Sequence, residues 1–169
     1  MSESLQNTAA RLDSRNDGGT ELLTFVLSGE HYAVDILRVQ EIRGWESVTR
    51  IPNAPVYVKG VINLRGAIVP IYDLRQRFEL DVQPYTKQTV VIVLRLHNAR
   101  GECSAGVVVD AVADVLLARD EEITRTPDFG ASVPTESIRG LFTHDGKMVM
   151  VLDVDNLIDA ASPGAGRSD

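Results

Sequence analysis

Apolar positions along this chain fall into short runs rich in Val and Ile, at 22–27, 67–72, 90–94, 106–109 and 148–152. Turn-forming residues separate them: Ser28-Gly29, Arg65-Gly66, the cluster 98–101, and Asp145-Gly146. Runs of four to eight β-branched residues punctuated this way predict the strands of an all-β barrel or sandwich. Helical periodicity is weak. Ile36, Val39 and Ile42 recur at threes, which predicts a strand giving way to a helical turn there. Residues 1–20 and 162–169 are polar, show no apolar period, and read as mobile tails.

The same pattern contains an internal repeat, which bears directly on architecture. Residues 58–78 (VKGVINLRGAIVPIYDLRQRF) align without a gap to 138–158 (IRGLFTHDGKMVMVLDVDNLI), at an offset of 80. Gly60 matches Gly140, Gly66 matches Gly146, Val69 matches Val149 and Asp73 matches Asp153. Upstream, VTRIP at 48–52 recurs as ITRTP at 123–127. Val34, Val39, Glu41 and Ile42 correspond to Val107, Val112, Asp114 and Val115 at an offset of 73. Three segments in the same order indicate a tandem duplication of a small β-barrel unit.

The duplication assigns local roles. Gly66 and Gly146 close tight turns that need a positive φ. Asp73 and Asp153 each precede an apolar i, i+4 pair, Leu74/Phe78 and Val154/Ile158, and are expected to cap one or two helical turns. A cap of that kind is worth ~0.5–2 kcal/mol. Barrels of roughly 65 residues are marginal alone, so the two should pack on each other and leave a groove at the junction.

Composition narrows the chemistry. The 169 residues carry 24 acidic and 17 basic side chains, for a net charge of −7, with 5% aromatics. That balance is a poor match to the basic, stacking faces that nucleic acid requires. No apolar run approaches the ~20 residues of a membrane helix, so direct membrane insertion is not expected. The single Cys103 excludes an internal disulfide and a Cys-based zinc cage. His31, His97 and His144 are far apart in sequence and beside turns, which leaves no metal pattern. Cys103 with His97 lacks an orienting third group, and the run Asp153-Val154-Asp155-Asn156 lacks the Gly and Glu of a calcium loop. Neither a catalytic constellation nor a cofactor motif is expected. A small-molecule enzyme on a double barrel stays open only if the structure shows a pocket of convergent polar groups.

One surface position stands apart. Arg65 occupies the turn that its repeat partner fills with Asp145, and Arg-Gly is less favoured there than Asp-Gly. It is either drift on a solvated turn or a charged donor held out on a rigid hairpin for a partner. Val39 and Val115 are either core positions or the lining of a groove for an amphipathic helix. Trp45 either edges such an interface or packs on a barrel end.

The segments VDILRVQEIRG (34–44), VTRIPNAPVYVKGVINLRGAIVPIYDLRQRF (48–78) and TVVIVLRL…GVVVDAVADVL (89–116) resemble the CheW family of bacterial chemotaxis coupling proteins. The likeness runs over about 21–160, and GVINLRG followed by VPIYDLR is its most specific element. It implies two five-stranded barrels of SH3-like or OB-like type packed on each other, approximately 21–86 and 87–161, with exchange of strands between them allowed. It implies a non-enzymatic, cytoplasmic adaptor recruited to membrane receptor arrays. Its partners would be the cytoplasmic tips of methyl-accepting chemoreceptors and the regulatory domain of the histidine kinase CheA. Service in another chemosensory pathway is the alternative. Carried over position by position, the receptor-binding pattern falls on Val39, Glu41, Arg65 and Val115, with Gly60 and Gly66 framing the hairpin. The kinase-contacting loop falls on 124–129, with Asp128 and Phe129. Nearby the sequence departs from the family pattern, with Ile123-Thr124 where Ile-Arg is expected.

Overall fold

The computed structural model describes residues 19–81, 84–98, 101–125 and 137–161. Ten strands and two short helices alternate in the order the apolar runs suggest. The strands are β1 (Gly19–Leu27), β2 (Glu30–Asp35), β3 (Val39–Gly44), β4 (Val58–Leu64) and β5 (Ala67–Asp73), then β6 (Val90–Asn98), β7 (Gly101–Val109), β8 (Ala111–Arg119), β9 (Ile138–His144) and β10 (Lys147–Leu152). Helix α1 (Leu74–Arg77) follows β5 and helix α2 (Val154–Ala161) follows β10. Strand β1 starts at Gly19, and Thr20 is buried, so the tail expected over 1–20 is shorter at its inner end. The remainder of both expected tails lies outside the described residues.

The strands form two five-stranded sheets, in the orders β8-β1-β2-β10-β9 and β3-β6-β7-β5-β4. Each sheet draws on both halves of the chain, so a cut near residue 86 does not separate them. The cause is a pair of parallel contacts, β5 with β7 and β10 with β2, in otherwise antiparallel sheets. A parallel neighbour cannot be reached by a hairpin, so the chain must cross between sheets. It does so at the 3-10 turn Ile36–Arg38 and again at Asp110. A strand does give way to a helical turn here, since β2 ends at Asp35 and a 3-10 turn spans Ile36–Arg38, but Val39 and Ile42 already belong to β3.

The duplication is visible in the pairing. Val61 exchanges backbone hydrogen bonds with Thr49 (2.8 and 3.0 Å), and Leu141 does the same with Thr124 (2.7 and 2.8 Å). Hence the glycines beside them: a Cβ on Gly60 would lie 2.2 Å from the Thr49 carbonyl oxygen, and one on Gly140 2.8 Å from that of Thr124. The hairpin turns also correspond, with φ of 52° and 89° at Arg65-Gly66 and 51° and 74° at Asp145-Gly146. Two successive positive φ values define the type I′ turn that suits strand twist.

Three apolar clusters hold the fold. Leu22, Ala33, Phe142, Val149 and Val151 fill the first barrel. Leu64, Val69, Ile71, Val91, Val93 and Val108 fill the second. Between them lies a larger cluster, with Leu23, Phe25, Tyr32 and Val34 from one sheet and Ile92, Leu94, Val107 and Val109 from the other. Successive residues of β1, β6 and β7 thus point alternately into a barrel and into the junction. Strands buried on both faces read as continuous apolar runs rather than alternating ones. The expected junction is mainly filled core; Val39, Val112 and Val115 are partly buried at its margin.

Polar latches stand at both crossings. Asp73 caps α1 through the Arg75 N–H (3.0 Å) and also accepts from the Arg75 guanidinium (3.1 and 2.9 Å) and the Tyr85 hydroxyl (2.8 Å). Arg75 donates onward to Asp110 (2.7 Å), whose other oxygen accepts from the Ser28 N–H (2.8 Å). Arg75 and Asp73 have no exposed side-chain surface. Arg75 is buried because its turn is pressed against the junction. Burial alone would lower its affinity for a proton, but the Asp73 hydrogen bond and charge, with Asp110, raise its pKa overall. Burial, then Asp73, likewise push the Tyr85 phenol well above its ordinary range. At the other crossing the polarity is reversed: Asp155 of α2 accepts from Arg38 and from the His97 N–H.

Candidate functional site

Glu41 and Arg65, 24 residues apart in sequence, meet at the open side of the second barrel. Their strands β3 and β4 are the two edges of that sheet. The type I′ turn at Arg65-Gly66 is braced by the Gly66 N–H donating to Asn63 Oδ1 (2.9 Å), and it aims Arg65 back toward β3. Arg65 Nη1 lies 3.0 Å from Glu41 Oε1, while Arg43 Nε lies 3.6 Å from Glu41 Oε2. A second contact ties Arg43 to Glu46 (3.3 Å). The Arg65 contact is an ion pair without hydrogen-bond alignment, and Glu41 Oε1 accepts no hydrogen bond.

The Arg65 side chain is 74% exposed, so most of its donor fork faces outward. A pair this exposed contributes only ~0–1 kcal/mol to folding. The guanidinium can therefore turn to another carboxylate or carbonyl at little cost to the fold. Gly60 permits the close approach of Thr49 to β4, and so fixes the base of the hairpin that Gly66 closes.

Val39 and Val115 come from different sheets, yet both pack against the central cluster and remain partly exposed. They occupy the margin between barrels, as a groove lining would. Trp45 packs edge-on against Tyr85, with ring centroids 4.4 Å apart, beside the core of the second barrel. This fits the barrel-end reading. Asp128 and Phe129 lie outside the described residues. Arg43, which no motif drew attention to, joins the Glu41 pair because β3 places alternate residues on one side.

Among the described residues no group of three or more His, Cys, Asp or Glu is placed to hold a metal ion. No described helix is long and apolar enough to cross a membrane. His97 is exposed beside Glu102, and Cys103 is exposed on the same hairpin. The features together define a double-barrel protein whose distinctive surface is a hairpin-borne arginine beside a partly open inter-barrel margin.

Known proteins share this architecture. Residues 21–162 match the family model of the CheW-like domain. The chain belongs to that family. It is 45% identical over 142 residues to a chemotaxis protein CheW of Klebsiella aerogenes, covering 84% of this chain and 83% of that one. It is 30% identical over 145 residues to a chemotaxis protein CheW of Bacillus subtilis, covering 85% and 90%. The crystal structure of the scaffolding protein TtCheW from Thermoanaerobacter tengcongensis superposes with a TM-score of 0.73 at 30% identity, covering 82% of this chain and 86% of that one.

Proposed function

We propose that this protein is a non-enzymatic adaptor that couples the cytoplasmic tips of chemoreceptors to the histidine kinase CheA. The observation that carries the reading is Arg65: an exposed guanidinium on a braced hairpin, at a turn whose repeat partner is Asp145. The fold does not need Arg there, so its presence is accounted for by a partner. Glu41 lies 3.0 Å from the guanidinium, and Val39 and Val115 offer partly exposed apolar surface at the inter-barrel margin to a receptor helix. The regulatory domain of CheA would be met through Asp128 and Phe129. The CheW-like family membership and the scaffolding protein of the same fold support this assignment.

Substitution of Arg65 tests it. A charge-assisted hydrogen bond is worth ~1.5–3 kcal/mol, so Arg65→Ala should weaken binding to a purified receptor tip by roughly ten- to a hundredfold. Receptor-coupled kinase activation should fall with it. The melting temperature should stay within the range of surface substitutions. Unaltered receptor affinity would remove Arg65 from the interface and leave a solvated turn.

A further inference from the structure

The duplication places a counterpart of the Glu41–Arg65 site in the first barrel. Val115 pairs with Leu23 as Ile42 pairs with Ile92, and both edge strands carry a register shift beside that point. Asp114 therefore stands where Glu41 stands in the other barrel. The turn Asp145-Gly146 stands where Arg65-Gly66 stands. A carboxylate meets a guanidinium in one barrel; in the other, Asp114 and Asp145 line one cleft, with Asp114 Oδ1 accepting from the Val115 N–H (2.8 Å).

Two carboxylates cannot close across the barrel edge, and an open cleft of about 190 Å³ lies between β8 and the β9–β10 turn. Its walls are Leu116 and Val149, with Thr24, His31 and His144 at its sides. Thr24 fixes one end: the Asp114 N–H donates to Thr24 Oγ1 (2.9 Å), which donates to the Asp114 carbonyl (3.1 Å). At the other end Asp145 lies 3.3 Å from His144 Nε2. Among the described residues, Lys147 is the one Lys or Arg that lines the cleft.

We infer that this cleft is a second protein-docking site, which receives an arginine side chain from a partner protein. The guanidinium would take the place that Arg65 fills in the other barrel, between Asp114 and Asp145. Its methylene stem would lie against Leu116 and Val149, as long cationic side chains do on apolar surface. The polarity is opposite to that of the Arg65 site, so the two faces select partners of opposite charge.

The probe is the peptide acetyl-Leu-Arg-Leu-amide, titrated into the full-length ¹⁵N-labelled chain, with acetyl-Leu-Gln-Leu-amide as its neutral counterpart. The arginine peptide should shift the amides of Thr24, His31, Asp114 and Asp145, and bind at least tenfold more tightly than the glutamine peptide. Asp145→Arg recreates the charge pair of the other barrel and should abolish binding without loss of thermal stability. Should that variant fold poorly, Asp114→Asn with Asp145→Asn should still reduce affinity at least tenfold. Equal affinity for the two peptides, shifts confined to another face, or indifference to both sets of substitutions would overturn the inference. Self-association in sedimentation that Asp145→Arg and Arg65→Ala each abolish would make the occupant a second copy, and would overturn the assignment to a foreign partner. Arg65→Ala should leave peptide binding unchanged, so failure here is separable from failure of the receptor reading.

Discussion

Replacing Arg75 by Met should be among the most damaging single changes in this protein. The side chain is wholly buried, and it makes two hydrogen bonds to Asp73 and one to Asp110. Met keeps much of the volume but leaves the Asp73 carboxylate buried, with only the Arg75 N–H and the Tyr85 hydroxyl as donors. Breaking a buried pair from one side costs ~3–5 kcal/mol, because an uncompensated charge stays in the interior. Against a total stability of about 5–15 kcal/mol this is a large fraction. For a domain of this size it corresponds to a fall in melting temperature of roughly 6–20 °C. Urea and thermal unfolding followed by circular dichroism would measure it. Adding Asp73→Asn to Arg75→Met should recover part of the loss, since the orphaned charge is then gone; the double-mutant cycle reads that coupling. A loss below ~1 kcal/mol, or strictly additive effects, would refute the argument and return Asp73 to a simple cap.

Gly60→Ala should destabilise by at least ~1–3 kcal/mol, since its Cβ would enter the Thr49 carbonyl at a backbone φ of +147°. Gly29→Ala, where nothing lies within 4 Å, should cost less in the same unfolding assay. Asp155 predicts an acid limb of stability. Burial opposes its ionisation, but the His97 N–H and Arg38 outweigh that and bring its pKa below the ordinary 3.8. Its contribution is therefore complete above that value and disappears as pH falls through the lower folded value. Asp155→Asn should flatten the pH dependence of the melting temperature in that window, and an unchanged slope would show that the Arg38 latch contributes nothing.

Much of the candidate site was legible before any coordinates. Arg65 stood out because repeat alignment set it against Asp145, and the NLRG motif named it independently. Its contact with Glu41 was not readable, since an ion pair across two sheet edges depends on barrel closure rather than spacing. The burial of Arg75 was not readable for a related reason. A charged residue on a short helical turn is ordinarily solvated, and only the packing of α1 against the junction buries it.

The one-dimensional order of apolar runs and turn pairs determined by itself that there would be strands, where each hairpin would bend, and that the chain carries a duplicated unit. Those are local properties: β-branched runs, positive φ at paired turn residues, and glycines wherever a second strand comes too close for a Cβ. Tertiary structure alone decided which strands share a sheet, because β2 meets β10 in a parallel contact and β1 meets β8 in an antiparallel one, and no sequence interval specifies either. It also decided which charges are buried and which exposed. The two copies are nearly the same in backbone and opposite in polarity at their crossings, where Arg75 meets Asp110 in one and Asp155 meets Arg38 in the other. That inversion exists only when side chains far apart in sequence are brought within hydrogen-bonding distance.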